Sequence, residues 1–304
     1  MATEFGISRR NLAKLVGAGI LGGLVGNVPD RKKSHSLWYN GSMSDLGVEV
    51  SKVGGVEIVS AGKEGPNIIF LHNAGQVPEG MTEHIGNLAE AGQVQVVAPN
   101  IFDIIRSLQL KGNANPSFAD IAYEIFHLDI LNKKEKTGIV SSSFGGSVAW
   151  EYTLQHPQEV EWNVAGSPTG WPLKRSLVEW MGAFVREFLL PPRVPIPEDL
   201  RKRDPGSGLM VKRSIADLRS VLHGLKITMA VDQREQMQDI NQPVDLLWGR
   251  DDRYIPSWTG EKMLGLFPNA RLTIVSEYNH LWMAVEPEKL TGPAIQRIQA
   301  STAR

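Results

Sequence analysis

Short apolar runs and amphipathic stretches alternate along most of the chain. Short apolar runs bounded by turn residues are typical of strands buried on both faces of a sheet, whereas apolar positions at helical spacing indicate helices. Their alternation predicts a mostly parallel α/β sheet with helices on both faces. The eight predicted strands are Gly47–Lys52, Val56–Ser60, Asn67–Leu71, Val94–Ala98, Thr137–Ser141, Trp162–Ala165, Val244–Trp248 and Arg271–Val275.

The links between these strands predict further local structure. Gly54-Gly55 joins the first two strands and indicates an antiparallel hairpin at one edge of the sheet. The later links carry the helical pattern. The predicted helices are Met81–Ala91, Phe118–Leu131, Gly145–Gln155 and Trp258–Leu266.

Residues 169–242 interrupt the alternation. This segment contains three predicted helices, Leu177–Leu190, Val211–Leu222 and Leu225–Met237, with a proline-rich stretch at 191–197. We interpret it as a helical cap insertion over the carboxyl edge of the sheet, where open α/β sheets bind their ligands. The predicted organisation is a core of residues 46–168 and 243–304, a cap of 169–242, and an N-terminal segment of 1–45.

Composition narrows the classes of function. The 304 residues, 42% hydrophobic and 21% charged, fit one large α/β domain with an insertion. The net charge of -1 gives no reason to expect nucleic acid as a partner. There are no cysteines, which excludes disulfides, thiolate catalysis and cysteine-ligated metals. The expected partner is a small-molecule substrate with an apolar portion, and the sequence does not fix the oligomeric state.

The N-terminal segment has the layout of an export signal. Ser8-Arg9-Arg10-Asn11-Leu12-Ala13-Lys14 precedes an uncharged, glycine-rich run at 15–25, which is too short to span a bilayer as a helix. The paired arginines resemble the twin-arginine export motif. This predicts a periplasmic protein or, because no Ala-x-Ala cleavage site follows, one tethered to the membrane. The alternative is a cytoplasmic protein with a frayed N-terminal helix and two chance arginines.

The strongest chemical motif is a serine between a strand and a helix. The apolar strand Gly138–Ser141 runs into Ser142-Ser143-Phe144-Gly145-Gly146 and then into a predicted helix. A nucleophilic serine in such a strained turn requires small residues two positions before and after it. Of the three consecutive serines, Ser143 satisfies this rule, whereas Ser142 has the bulky Phe144 at that position. A serine-rich turn without function is the alternative.

Two further segments supply an acid and a base. The strand Val244–Trp248 ends in Gly249-Arg250-Asp251-Asp252, and Gly-x-x-Asp spacing selects Asp252 as a carboxylate at the functional edge of the sheet. His280 follows the last predicted strand after a short turn, 28 residues beyond Asp252. A solvated charged turn and a structural histidine are the respective alternatives. Serine, aspartate and histidine in this chain order form the catalytic triad of known hydrolases.

These segments together resemble the α/β-hydrolase superfamily from about Gly47 to the C-terminus. His72-Asn73-Ala74-Gly75 resembles the family's strand-end His-Gly loop. The resemblance implies an oxyanion hole formed by the backbone N–H of Phe144 and that of Ala74, with Asn73 as a lesser candidate. It also implies that His72 and His156, in Gln155-His156-Pro157, are structural.

The sequence departs from the family pattern at two places. Asn73 replaces the usual glycine, and asparagine is the residue that best replaces glycine at a positive φ. The glycine-containing loop after the next strand appears as Asn100–Ile105, without a glycine. We expect this segment to be a loop at the pocket, so that substrates of common relatives are poor guides to this chain.

The predicted reaction is acyl transfer from a carboxylic ester or related acyl compound, through a Ser143 acyl-enzyme, without metal or organic cofactor. The same triad serves lactonases, carbon–carbon bond hydrolases and acyltransferases, and a non-catalytic binding protein of the same fold is the remaining alternative. The predicted cap carries apolar side chains for the substrate, or for core packing in the alternative. These are Trp171, Trp180, Met181, Phe184, Phe188, Leu189 and Leu190.

Overall fold

The computed structural model describes residues 47–62, 65–74, 78–131, 135–184, 186–187, 193–195 and 218–302. Eight strands in this part of the chain form one sheet, in the order β1-β2-β4-β3-β5-β6-β7-β8. They match the predicted strands within two residues at each end. The strands are β1 (Val48–Val53), β2 (Val56–Ala61), β3 (Asn67–Leu71), β4 (Gln95–Pro99), β5 (Thr137–Ser142), β6 (Val160–Gly166), β7 (Val244–Gly249) and β8 (Ala270–Ser276).

The predicted mostly parallel sheet with an antiparallel edge is confirmed. β1 pairs antiparallel with β2, and β2 pairs antiparallel with β4. The pairs from β4 to β8 are parallel. Gly54 and Gly55 turn the chain between β1 and β2 at φ values of 58° and 84°. These left-handed conformations suit glycine and match the twist of a two-residue hairpin turn.

Helices cover both faces of the sheet. Those at 82–92, 118–127, 144–155 and 258–264 confirm the four predicted between strands, although the second ends at His127. The described helices are α1 (Thr82–Gly92), α2 (Ile101–Leu110), α3 (Phe118–His127), α4 (Phe144–Gln155), α5 (Leu177–Phe184), α6 (Leu218–Ala230), α7 (Arg234–Gln238), α8 (Trp258–Leu264), α9 (Trp282–Val285) and α10 (Pro287–Thr302), besides a 3₁₀ turn at Pro78–Met81.

Helix α2 contradicts the loop expected at Asn100–Ile105. The side chain of Asn100 accepts hydrogen bonds from the backbone N–H groups of Phe102 and Asp103, at 3.1 and 3.3 Å. Asparagine is a strong N-cap because it satisfies N–H groups that have no partner within the helix. The residues that follow present an apolar face to the core. The polar start of this segment was therefore a helix cap and not a loop.

The helices of the predicted cap also differ from the expectation. The predicted break between Leu222 and Leu225 is wrong, because α6 runs unbroken through Gly224. A Cβ at Gly224 would lie 3.1 Å from the ring of Phe102. This glycine allows the helix to approach α2 closely, and it does not end the helix. Part of the predicted helix Val211–Leu222 lies outside the described residues.

The sheet separates two hydrophobic clusters. Alternate residues of β3 enter different clusters: Ile69 and Leu71 pack with α2, α3 and α4, whereas Ile68 and Phe70 pack with α1, α9 and α10. This alternation follows from the two-residue period of a strand. A central strand buried on both faces fixes the position of its carboxyl end, and β5, the neighbour of β3, carries the candidate nucleophile at that end.

No helix within the described ranges is long and apolar enough to cross a membrane. The predicted export signal and linker at residues 1–45 lie outside the described residues. Export or membrane tethering by this segment therefore remains a prediction.

Candidate active site

Ser143 occupies a strained turn between β5 and α4. Its φ and ψ are 49° and -115°, an unfavourable combination for a residue with a side chain. The surrounding backbone holds it there: the Ser143 N–H donates to the carbonyl of Gly166 at 2.8 Å, and its carbonyl accepts from the N–H groups of Gly146 and Thr169, both at 2.9 Å. The turn therefore points the Ser143 side chain away from the end of the strand in a fixed direction.

The glycines after Ser143 are required by close contacts. A Cβ at Gly145 would lie 2.2 Å from the carbonyl oxygen of Leu71, and one at Gly146 would lie 2.3 Å from the side chain of Pro168. Both distances are far below van der Waals contact, so only glycine fits. The contact with Leu71 also shows that the loop after β3 lies directly against the first turn of α4.

His280 lies between Ser143 and Asp252. Its Nε2 lies 3.0 Å from Oγ of Ser143, and its Nδ1 lies 2.7 Å from Oδ2 of Asp252. The three side chains come from residues that follow β5, β7 and β8, and they meet because parallel strands end at the same edge of the sheet. All three residues are at most 4% exposed. The sequence-predicted residues are thus joined in one hydrogen-bonded chain.

The structure distinguishes Asp252 from its neighbour Asp251. Besides contacting His280, the Asp252 carboxylate accepts a hydrogen bond from the N–H of Ile255 at 2.8 Å. Asp251 instead forms an ion pair with Arg253 at 2.7 Å. The spacing from Gly249 therefore selected the carboxylate that contacts the histidine.

The carboxylate of Asp252 controls the proton affinity of His280. Burial alone would lower the pKa of His280, but the charge of Asp252, its hydrogen bond and the charge of Glu187 together outweigh burial and raise this pKa above its usual value. With a proton on Nδ1 facing Asp252, Nε2 is free to accept a proton from Ser143. Within the described ranges, no group of three or more histidine, aspartate or glutamate side chains could hold a metal ion.

The loop after β3 is anchored by His72. One ring nitrogen, Nε2, accepts the N–H of Ile101 at 2.9 Å, and Nδ1 lies 2.9 Å from the carbonyl oxygen of Asn73. Burial lowers the pKa of His72 to about 4, so the ring is neutral at pH 7. His72 lies outside the Ser143–His280–Asp252 chain and ties the loop that leads to Ala74 to the start of α2.

The two residues predicted to donate to an oxyanion lie on elements that touch. Phe144 is the first residue of α4, where backbone N–H groups have no acceptor within the helix. Ala74 lies three residues beyond Leu71, whose carbonyl contacts Gly145. The ring of Phe144 packs against the rings of Phe118 and Phe102, with centroids 5.0 and 5.9 Å away.

Two of the seven apolar side chains predicted in the cap have described contacts. Trp180 is buried against Tyr254, whose ring in turn packs edge-on against His280 at 5.3 Å. Trp171 packs against the hydrophobic core and under the guanidinium of Arg234. Trp180 thus lies one ring away from His280, whereas Trp171 has the core-packing role. The other five side chains are outside the described part of the structure.

Two charged residues of the segment 169–242, not predicted as part of the site, contact the loop of Asp252. Arg175 donates to the backbone carbonyls of Arg253 and Tyr254, at 3.3 and 2.7 Å. Glu187 is buried beside both Asp252 and His280. No motif marks either residue, because their contacts are with backbone groups far away in the sequence.

The comparisons with known proteins agree with this architecture. The 2-hydroxy-6-oxononadienedioate/2-hydroxy-6-oxononatrienedioate hydrolase of Cupriavidus pinatubonensis is 27% identical over 173 residues, 51% of this chain and 59% of that protein. The AB hydrolase superfamily protein YfhM of Bacillus subtilis is 21% identical over 266 residues, 79% of this chain and 92% of that protein. The chain thus spans about three fifths of the Cupriavidus relative.

A solved structure shows the same fold. The thermophilic esterase of Thermogutta terrifontis superposes with a TM-score of 0.61 at 14% sequence identity, covering 83% of this chain and 99% of that one. The family model for the alpha/beta hydrolase fold matches residues 66–287, well over half of the chain. By this match and by its sheet topology, the chain belongs to the α/β-hydrolase superfamily.

Proposed function

We propose that this protein is a serine hydrolase that cleaves a carboxylic ester or a related acyl bond, with Ser143 as nucleophile, His280 as base and Asp252 as acid. The observation that carries the proposal is the position of His280, within hydrogen-bond distance of both other side chains. A nucleophile, its base and the group that orients the base are the three parts that covalent catalysis by serine requires.

The proposed cycle begins with proton transfer. His280 Nε2 accepts the Ser143 proton as Oγ attacks the carbonyl carbon of the substrate, and the carbonyl π electrons move to oxygen. The backbone N–H groups of Phe144 and Ala74 stabilise this oxyanion, and loss of one such donor typically costs about 10²–10³ in rate. Asp252 stabilises the imidazolium that forms.

The tetrahedral intermediate then collapses. The bond to the leaving group breaks, His280 gives its proton to the leaving alcohol, and an acyl-enzyme remains on Ser143. Water repeats the sequence: His280 takes a proton from water, the hydroxide attacks the acyl carbon, and the carboxylic acid leaves as Ser143 regains its proton. The cycle uses no metal and no organic cofactor.

Covalent labelling tests the proposed nucleophile. A fluorophosphonate probe should label the purified protein at Ser143, as located by mass spectrometry, and Ser143→Ala should abolish labelling. Ser142→Ala is a matched control, because the Ser142 hydroxyl is buried with no hydrogen-bond partner in the described structure, so its removal should leave folding intact. Labelling of the Ser143→Ala variant at the wild-type rate would contradict the assignment.

A substrate panel tests the proposed class of reaction. We expect turnover of simple carboxylic esters. Three additions to the panel test the alternative reactions. Lactones test for a lactonase, and an acyl acceptor in place of water tests for an acyltransferase. The 2-hydroxy-6-oxononadienedioate named for the Cupriavidus relative tests for a carbon–carbon bond hydrolase. Labelling of Ser143 without turnover of any ester, together with turnover of the dienedioate, would keep the triad and replace the ester class by carbon–carbon bond hydrolysis. Absence of both labelling and turnover would favour a binding protein.

A further inference from the structure

Glu187 connects the segment 169–242 to the two loops that carry Asp252 and His280. Its Oε1 accepts a hydrogen bond from the backbone N–H of His280, and its Oε2 accepts one from the N–H of Arg253 at 3.3 Å. Its own backbone carbonyl accepts from the side-chain amide of Asn279 at 3.0 Å. A single residue, 2% exposed, thus contacts both loops.

The geometry matches an ionised carboxylate. Each oxygen of Glu187 accepts an N–H, and an ionised carboxylate has two equivalent acceptors. In a protonated acid, one oxygen carries the proton and acts as a donor. If that hydroxyl faced a backbone N–H, two donors would oppose each other and a hydrogen bond would be lost. The negative charge of Glu187 is therefore held against the backbone of His280 by the contacts themselves.

The charges around Glu187 oppose one another. Burial, and then the like charge of Asp252, raise the pKa of Glu187 to about 7, while His280 and the two backbone N–H groups act in the opposite direction. The charge of Glu187 in turn raises the pKa of His280. The phenol of Tyr254 faces the same carboxylates, and its pKa is raised by burial.

The arginines near the site are engaged elsewhere. The guanidinium of Arg253 pairs with Asp251 at 2.7 Å, so Arg253 meets Glu187 with its backbone. Arg175 donates to backbone carbonyls of the Asp252 loop. Neither guanidinium forms a described ion pair with Glu187, and among the described residues it is the charge of protonated His280 that lowers the pKa of Glu187.

We propose that Glu187 is a positioning residue for the catalytic pair: its carboxylate fixes the loops of Asp252 and His280 to each other and adds a second negative charge beside the imidazolium. This role rests on the proposed function, in which His280 becomes positively charged in the transition state. A charge that stabilises the imidazolium lowers the barrier to proton transfer from Ser143.

A titration of His280 tests the charge without using any substrate. In protein labelled with ¹⁵N-histidine, with the His280 signals assigned by their loss in His280→Gln, the wild-type midpoint should lie above the usual histidine value of 6.5, because two carboxylates adjoin the imidazole. In Glu187→Gln, we expect the midpoint to be lower by at least about half a pH unit, since a negative charge is gone.

A charge-matched control separates this effect from a general loss of charge. Glu179→Gln removes an exposed carboxylate of the same segment, which accepts hydrogen bonds from Ser176 and has no described contact with His280, and it should leave the His280 midpoint unchanged. Glu187→Asp keeps the charge on a shorter side chain, so the His280 midpoint should lie between those of Glu187→Gln and the wild type. An unchanged or higher midpoint in Glu187→Gln would overturn the proposal, as would a wild-type midpoint at or below the usual histidine value of 6.5, which requires no variant to fold.

Kinetics completes the test. With an ester substrate, Glu187→Gln should lower kcat at least about tenfold with little change in KM, because the lost interaction belongs to the transition state. A rise in KM with kcat preserved would contradict the positioning role. Failure of the proposed function would show as absence of fluorophosphonate labelling in the wild type, whereas failure of this inference would leave labelling intact and the His280 titration unaltered.

Discussion

Replacing Asp252 by asparagine gives the sharpest consequence of the proposed triad, because it exchanges one carboxylate oxygen for an NH₂ group and leaves the shape of the side chain nearly unaltered. In the wild type, one carboxylate oxygen accepts the N–H of Ile255 at 2.8 Å and the other faces Nδ1 of His280 at 2.7 Å. An asparagine must keep its oxygen toward Ile255, since its NH₂ group would otherwise oppose an N–H. The NH₂ group then faces His280.

That orientation reverses the tautomer of His280. An NH₂ group donates, so Nδ1 becomes the acceptor and the imidazole proton moves to Nε2. Nε2 then points an N–H at Ser143 and no longer accepts its proton. In a serine protease with this arrangement the same substitution lowers kcat by about 10⁴, equivalent to about 5.5 kcal/mol, and we expect a loss of that order here.

The measurement is kcat for a chromogenic ester at pH 7 to 8, with circular dichroism to show that the variant is folded. Asp251→Asn is the matched control: it makes the same chemical change one residue away, at a carboxylate that pairs with Arg253. Loss of such a partly exposed ion pair costs about 1 kcal/mol or less. A larger loss of activity in Asp251→Asn than in Asp252→Asn would refute the assignment of the acid.

Three further predictions concern stability, substrate and export. Burial lowers the pKa values of His72 and His84 from 6.5 to about 4. As the pH falls, these histidines therefore bind protons in the unfolded state before they do so in the folded state, which favours unfolding. For each histidine, we expect the free energy of unfolding to fall by about 2 kcal/mol between pH 6.5 and pH 5. Thermal unfolding should show a Tm that falls over this pH range. The fall should be smaller in His84→Gln than in a variant with a substitution at the exposed His127, and a Tm that stays constant in the wild type would contradict the prediction. If apolar residues of the segment 169–242 line the pocket, kcat/KM along a C2-to-C12 ester series should rise with chain length and then fall, at about 0.8 kcal/mol per buried CH₂ group; a preference for acetyl would place those residues in the core. If the first segment is a twin-arginine signal, replacing Arg9 and Arg10 by lysine should retain the protein in the cytoplasm, as measured by cell fractionation, and export of that variant at the wild-type level would exclude the signal.

The sequence by itself determined the sheet and the positions of its functional turns. Buried parallel strands are short apolar runs, and each of the eight was predicted within two residues of its observed position. The sequence also identified the turn at Ser143 by its small residues. Only glycine fits at position 145, because a Cβ there would collide with the carbonyl oxygen of Leu71 on the neighbouring strand. The spacing from Gly249 selected the carboxylate that meets His280. The catalytic roles of these residues remain predictions.

Only the tertiary structure decided which residues cap a helix, which allow two helices to approach, and which join distant loops. Asn100 begins a helix because its side chain meets free N–H groups, and Gly224 continues a helix because it must approach Phe102. Glu187 meets the N–H of His280 across 93 residues of chain. Local patterns record what a residue does for its own strand or helix. A contact with the backbone of a distant loop leaves no periodicity and demands no particular neighbours in the sequence, so it becomes visible only when the fold brings the two segments together.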